Sequence, residues 1–338
     1  MTSLRPRILP TAEQCARVLR EAGIAEPLAG CEFLPLPDYS PTIVAILNER
    51  YVLRASTRDG AARFARERRA IARLAGVPGI AAIRGAGTLA LDGEAHYLLQ
   101  ERLPGRALFP LWLELADDAR VALIAELAGI IRRVHRIAVP GYAIGHYQSA
   151  LRDWPGGWLD GHDVQIARLL ARVRARDLTA AQAALLDDAE AYYAVHRGAL
   201  AHTVGPRFAH GDLHLYNVLA ERGRITGLID WEWAYGGGTE PDFDLDALIR
   251  WALYPRGIAE EALEARVSGA DFVALIPALL AAYPEVRALP RLAERLTIYQ
   301  IEHDLHHLAS WPPGIPREPL HRLHGWVRER RLEAALAP

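Results

Sequence analysis

Residues His210 to Asp230 read HGDLHLYNVLAERGRITGLID and bring two carboxylates and an amide into one short stretch. The chain holds only two asparagines, Asn48 and Asn217, and the second falls five residues after Asp212. NVLA, ERGR and ITGLID read as strand, turn and strand. A tight hairpin centred near Arg222 and Gly223 places Asn217 and Asp230 almost opposite each other at its open end. Asp212 lies in the loop that feeds the first strand. Two carboxylates and an amide oxygen are hard ligands, suited to Mg²⁺ held together with substrate phosphates. In phosphoryl transfer one Asp takes the proton of the acceptor hydroxyl and an Asn five residues on holds a metal ion. A later Asp holds the metal that bridges the phosphates. The bland alternative is a hairpin whose polar ends only cap backbone.

The elements that must position these residues follow from pattern. Thr11 and Gln14 form a capping box ahead of a first helix. CEFLPL, TIVAIL and RYVLRAS are extended runs, with NER as the turn between the last two. DGAARFARERRAIARLAG is a helix that exits at Gly76. AAIRGAGTLAL and EAHYLLQER read as two more strands, and Pro104 and Gly105 break the pattern. Beyond them the chain is helical, interrupted only by the hairpin above. The spacing predicts a small, mostly β lobe over residues 1–103 and a large α-rich lobe over 104–338. GHYQSALRDWPGGWLDGH has no clear period and reads as a functional loop or insertion.

The small lobe offers an independent check. In the helix over 59–75, Phe64, Ile71 and Leu74 form an apolar stripe, and Glu67 lies on it. A carboxylate on a buried face needs a partner. Phosphoryl-transfer chemistry offers one, the ion pair between a strand cation and the following helix's Glu. The cation here is Arg54, which keeps the charge of the more usual lysine and adds a bidentate fork. A purely structural salt bridge is the alternative.

HGDLHLYNVL followed by GRITGLIDWE resembles the aminoglycoside phosphotransferase and choline-kinase-like family, which shares the protein-kinase fold. The resemblance covers most of the chain and implies an α/β, two-lobe protein with ATP, or GTP, and Mg²⁺ as cofactors. It implies Asp212 as catalytic base, Asn217 and Asp230 as metal ligands, and an adenine contact through the backbone of QERL at Glu101 and Leu103. His210 is read as packing and orienting the loop. Asp244 looks like the family Asp that caps its helix and braces the catalytic loop. One departure is PLPDYSPT, which has no glycine where relatives often carry one or more. Pro37 and Pro41 donate no N–H there, and Ser40 is the phosphate-contact candidate.

His-Gly-Asp stands where protein kinases have His-Arg-Asp, so the arginine that reads a phosphorylated loop is missing. Only 13 residues separate Asp230 from Asp244, too few for a long activation segment. The implied reaction is therefore transfer to a hydroxyl of a small molecule. An aminoglycoside or similar antibiotic leads. A metabolic alcohol such as choline, a sugar or an amino alcohol is the alternative. A nucleotide-binding module without turnover is the rival from another class.

Bulk properties narrow the partners. The net charge of −2 argues against nucleic acid and anionic membranes. No run reaches the roughly 18 apolar residues of a membrane span, and MTSLRPRILP has no signal-type apolar core. Cys15 and Cys31 fit free thiols in a reducing cytoplasm. All 39 basic residues are arginine. Residues 231–310 carry thirteen acidic residues against six arginines, a net −7, which points to a cationic acceptor. Since the family binds its acceptor on late helices, Glu232, Glu302 and Asp304 are the candidates. His303 and His307 share the i,i+4 spacing of zinc sites but lack a clear third ligand. Trp231, Trp233, Tyr235 and Trp251 form either a cation cage or core.

Overall fold

The computed structural model describes residues 8–36, 42–91, 93–234, 238–310 and 317–336. The chain divides into two units, Met1–Gly105 with Thr226–Glu232, and Arg106–Ile225 with Trp233–Pro338. The division assigns Asp230 and Glu232 to the N-terminal unit, which a boundary drawn at residue 103 alone misses.

In the N-terminal unit, α1 (Ala12–Glu21) starts at the Thr11–Gln14 capping box, each side chain accepting from the other's N–H. β1 (Cys31–Phe33), β2 (Thr42–Leu47), β3 (Tyr51–Ser56), β4 (Ile83–Leu91) and β5 (Gly93–Glu101) form an antiparallel sheet in the order β1-β2-β3-β5-β4. The turn after β2 holds Asn48 at φ 52°, a conformation Asn tolerates. Its Oδ1 accepts from the N–H groups of Ala29 and Gly30. One of the two asparagines is thus a turn residue. Cys15, Val18 and Leu19 of α1 pack on Ala45, Leu47, Leu53, Leu89 and Leu99 of the sheet. Cys15 and Cys31 are free thiols with Sγ atoms 3.7 Å apart, and burial pushes the Cys15 thiol up to about 12. α2 (Gly60–Arg73) buries Phe64, Glu67 and Ala70. Residues 226–232 join this unit through a close backbone approach. The Leu228 N–H donates to Gly79 O at 2.9 Å, and a Cβ on Gly227 would lie 2.3 Å from Leu103 Cδ1.

The C-terminal unit is mainly helical. Its elements begin with β6 (Arg106–Ala107), α3 (Leu108–Trp112), α4 (Asp117–Val134), β7 (Tyr142–Ile144), β8 (Leu151–Trp154), α5 (Trp158–Arg174) and α6 (Ala180–His196). They continue with β9 (Val218–Glu221), β10 (Arg224–Leu228, whose residues from Thr226 on are assigned to the N-terminal unit), α7 (Asp246–Leu253), α8 (Glu261–Glu264), α9 (Leu275–Ala282) and α10 (Pro284–Arg287). α11 (Leu292–Ser310), α12 (Arg317–Val327) and α13 (Arg331–Leu336) complete the chain. The strand order β10-β9-β6 contains the predicted hairpin, whose turn has Arg222 at φ 50° and Gly223 at φ 74°, the two positive values of a type I′ turn. The segment without a period, residues 145–162, holds a 3₁₀ turn, Tyr147–Ser149, then β8, which pairs antiparallel with β7 just ahead of the segment, and the start of α5. Among the described residues no helix is long and apolar enough to cross a membrane.

α11 is the axis of this unit and is buried on all sides, so its polar side chains must be matched internally. Arg295 forks onto Asp242 at 2.6 and 3.0 Å and donates to the carbonyls of Ala199 and His202. Gln300 bonds Arg250 and the Asp246 carbonyl, each at 2.9 Å. Truncating one partner of such a pair strands the other. Asp242→Ala should therefore lower unfolding stability by about 3–5 kcal/mol. A urea midpoint that barely moves would show that Arg295 is held by its carbonyl partners alone.

Candidate active site

The loop that carries Asp212 is fixed from behind by Asp244. Asp244 Oδ2 accepts from the His210 N–H at 2.9 Å, and Oδ1 accepts from the Gly211 N–H at 2.7 Å. His135 Nε2 lies 3.0 Å from Oδ2, with its Nδ1 on the Tyr283 hydroxyl at 2.9 Å. Burial works against the Asp244 charge, but His135, His210 and the Gly211 N–H outweigh it and hold the carboxyl below the usual range. Asp244 makes no cap to its helix, because it sits in a 3₁₀ turn ahead of α7. That corrects the capping expectation. Gly211 has φ 80°, and a Cβ there would lie 2.4 Å from Trp233 O. No side chain fits, which is the local reason for His-Gly-Asp. His210 is buried and its Nδ1 faces the Asp212 N–H at 3.3 Å.

Asp212 is 18% exposed at its side chain. Its Oδ1 accepts from the Tyr147 hydroxyl at 3.0 Å, and its Oδ2 lies 3.5 Å from His214 Nε2. Burial raises its pKa, but His214, His210 and the Tyr147 hydroxyl outweigh that and leave it below the usual range. Asn217 is buried in the turn Leu215–Asn217, and its Nδ2 donates to the Asp212 carbonyl at 2.9 Å. That bond orients the amide and leaves Oδ1 as its acceptor end. Tyr147 was not foreseen. It lies 65 residues upstream, in the segment without a period, at φ 50°. The ring of Tyr147 meets those of Trp233, His303, His306 and His307, with centroids 5.2–6.2 Å away. Burial pushes His306 down to about 4, helped by Arg172 and Arg168, and His307 down to about 3, helped by His306, Arg250 and Arg322. These rings are neutral at pH 7. His303 and His307 face each other at 3.1 Å, and among the described residues no group of three or more His, Cys, Asp or Glu is arranged to hold a metal.

In the N-terminal unit, Arg54 on β3 reaches three carboxylates. Nη1 donates to both Glu67 oxygens at 2.6 Å. Nη2 donates to Asp230 Oδ1 at 2.8 Å and to Glu232 Oε2 at 3.4 Å. Burial alone would lower the Arg54 pKa, but these three acids raise it. Burial, with Asp230 and Glu232, pushes Glu67 up to about 7 against the pull of Arg54 and Arg63. Asp230 has φ 63°, and its side chain is 35% exposed.

The remaining expectations fare unevenly. Ser40 and Tyr235 lie outside the described residues. The Glu101 N–H is committed to Ala82 O at 2.8 Å, and its carboxylate pairs with Arg84. Leu103 packs on Gly227. The three acceptor carboxylates need correction. Glu232 belongs to the N-terminal unit and pairs with Arg63. Glu302 is fully buried with His162 at 2.5 Å. Asp304 is fully buried and takes Arg322 at 2.6 Å and Trp326 Nε1 at 2.9 Å. A count of charges along the sequence cannot show that these acids are matched inside the protein. Trp231 is core, its Nε1 on Leu228 O. Trp251 lies under the guanidiniums of Arg250 and Arg322.

A family model described as "Phosphotransferase enzyme family" matches residues 32–289. Solved structures share the fold. Aminoglycoside phosphotransferase APH(4)-Ia, as a thermostable mutant in complex with AMP-PNP and hygromycin B, is 16% identical. That match covers 92% of this chain and 96% of that one, at TM-score 0.61. The streptomycin–ATP ternary complex of APH(2")-IIa is 15% identical over 89% of this chain and 90% of that one, at TM-score 0.59. The GDP and kanamycin complex of APH(2")-IIIa is 17% identical over 97% and 99%, at TM-score 0.57. No curated protein sequence matches. The chain belongs to the phosphotransferase enzyme family and has the kinase-like fold of a small antiparallel-sheet lobe and a helical lobe.

The brace behind the Asp212 loop is testable by pH. The Asp244 pKa is depressed in the folded protein, so its stabilisation is complete above the ordinary Asp value and is lost as pH falls through the folded one. Asp244→Ala should cost about 2–5 kcal/mol at pH 7 by stranding two N–H groups and His135. The gap to wild type should close as pH falls below about 4. Urea unfolding at pH 7 and pH 3 measures both. A gap that does not narrow at all between pH 7 and pH 3 would mean that packing, not the carboxylate, braces the loop.

Proposed function

We propose that this member of the family transfers the γ-phosphate of a nucleoside triphosphate, ATP or GTP, to a hydroxyl of a small molecule, with Asp212 as catalytic base. What carries the reading is the Asp212 carboxylate, held ionised by Tyr147 and His214 five residues before a fixed Asn217. Asp212 takes the proton of the acceptor hydroxyl, and the acceptor oxygen forms its bond to the γ-phosphorus as the bond to the leaving nucleotide breaks. A binding module without turnover would need no such base.

Asn217 and Asp230 are the residues that would hold Mg²⁺. They fit it as hard oxygen donors, one an amide aimed by its own N–H bond and the other a carboxylate a third open to solvent. Bound there, Mg²⁺ supplies neutralisation of the phosphate charge. Arg54, held by Glu67, is the proposed phosphate contact. The adenine contact is proposed through the backbone at Glu101 and Leu103, excluding the committed Glu101 N–H. Ser40 stays a candidate on sequence grounds, and the reading includes a cytoplasmic setting where the nucleotide is supplied.

For the acceptor, an aminoglycoside or similar antibiotic is the first proposal, and with it a role in antibiotic resistance. Structures of the same fold were solved with hygromycin B, streptomycin and kanamycin. A neutral or weakly charged alcohol, such as a sugar, is the second. It is favoured by the internal pairing of Glu302 and Asp304 and by the neutral rings around Tyr147.

Two outcomes follow. Asp212→Asn should lower kcat by about 10²–10⁴-fold while ADP binding stays close to wild type. A variant that keeps more than half of the wild-type kcat removes the base assignment. With Mg²⁺ and ATP, kanamycin, hygromycin B and neutral sugars should be compared for ADP release across ionic strength. A polycationic acceptor drawn by charge loses kcat/KM as salt rises, and a neutral one does not.

A further inference from the structure

We infer that Glu232 is a positioning residue for Asp230, a strut anchored by α2 arginines that fixes the segment carrying the metal ligand before metal or nucleotide arrives. The inference rests on the proposed metal role of Asp230. The sequence alone put Glu232 with the acceptor, and the structure gives it different work.

Besides the 3.4 Å contact from Arg54, Glu232 is held twice over by α2. Arg63 Nε donates to Oε2 at 2.8 Å, and Arg63 Nη2 donates to the same oxygen. Arg66 Nε donates to the Glu232 carbonyl at 3.3 Å. Residues 63 and 66 are three apart and share a helix face, so one face of α2 grips both the side chain and the main chain of Glu232. Arg63 is itself fixed, because its Nη1 donates to Thr42 Oγ1 on β2 at 3.1 Å. Glu232 is only 7% exposed. A carboxylate taken that far from water persists only with matched donors, so the contact has one geometry rather than many.

The other side of Asp230 is fixed as well. The Leu228 N–H donates to Gly79 O at 2.9 Å, and Trp231, fully buried, donates its Nε1–H to Leu228 O at 3.0 Å. Asp230 lies between these anchors at φ 63°, a left-handed conformation that a non-glycine residue keeps only when its surroundings impose it. Arg54 also touches Asp230, but the proposed chemistry needs Arg54 at the phosphates, so its hold on Asp230 is exchangeable. The contacts of Arg63 and Arg66 to Glu232 have no such second duty. They set the direction of Asp230 whether or not Arg54 has let go.

The test is calorimetric titration of ADP, with and without MgCl₂, into wild type, Glu232→Gln, Arg63→Met and Asp230→Ala. Arg63→Met removes the anchor without touching Glu232 and covers the case in which Glu232→Gln folds poorly. Loss of a group that orients a metal ligand through a direct bond costs metal affinity about 10–100-fold, and the same range is expected for a hold exerted through the chain segment. Glu232→Gln and Arg63→Met should lose that much of the Mg²⁺-dependent gain in ADP affinity, approaching Asp230→Ala, while metal-free ADP binding stays at the wild-type value. Variants that keep the full Mg²⁺ gain overturn the inference and leave the metal reading of Asp230 standing. Variants that lose ADP affinity equally with and without Mg²⁺ show general loosening and also overturn it. A wild-type protein with no Mg²⁺ gain removes the metal role of Asp230, and the strut falls with it.

Discussion

Apart from imidazole, every side-chain cation in this protein is a guanidinium, because all 39 basic residues are arginine. A carboxylate removed from water needs donors placed on its lone pairs, and a planar fork supplies two at fixed spacing where an ammonium supplies a point charge. Both units are built around that exchange. Arg54 grips both oxygens of Glu67, Arg295 both oxygens of Asp242, and Arg322 doubles onto one oxygen of Asp304. The −7 balance of residues 231–310 is therefore not a free acidic field. Glu232, Glu240, Asp242, Asp244, Asp246, Glu302 and Asp304 are all buried, and Arg63 and Arg322, from outside that span, pair with Glu232 and Asp304.

What the sequence made legible was local. The hairpin, its turn at Arg222 and Gly223, and the loop holding Asp212 and Asn217 depend on spacing within some twenty residues. Period and turn chemistry encode such features. The contact of Arg54 with Glu67 was legible for a related reason: a charge on an apolar helix stripe announces a missing partner, and only a nearby strand offered one. The contacts that stayed hidden span long separations and carry no periodic mark. Tyr147 meets Asp212 across 65 residues, and Arg63 meets Glu232 across 169. The return of residues 226–232 to the N-terminal unit was hidden too, since it runs through a backbone approach at Gly79 that has no sequence period.

Two side chains of the candidate site, Tyr147 and Asp230, and the glycine before Asp212 sit on backbone that ordinary side chains avoid. Asp230, Tyr147 and Gly211 all have positive φ. Each is over-determined by its neighbours: Asp230 by Trp231 and Glu232, Gly211 by Asp244 and the Trp233 carbonyl. Tyr147 follows His146, whose ring stacks on Phe243 and whose carbonyl accepts from Ser149 Oγ. Strain of this kind survives only where packing imposes it. At these positions the folded chain therefore orients the residues without help from a ligand.

The two aspartates differ in the donors they are given, and the donors separate their proposed roles. Asp230 meets a guanidinium, a full and permanent cation. That partner suits a carboxylate whose task is to hold charge against a metal, since no proton affinity is asked of it. Among the described residues, the Asp212 carboxylate meets a phenol and an imidazole instead. A general base must be ionised, yet it must still gain by taking a proton, and a guanidinium at contact distance would give the first at the expense of the second. His214, His210 and the Tyr147 hydroxyl lower the Asp212 pKa with no guanidinium in contact among the described residues. The same side chain is thus fitted to two tasks by what stands beside it, and for Asp212 one of those neighbours, Tyr147, comes from the one stretch of sequence that showed no pattern.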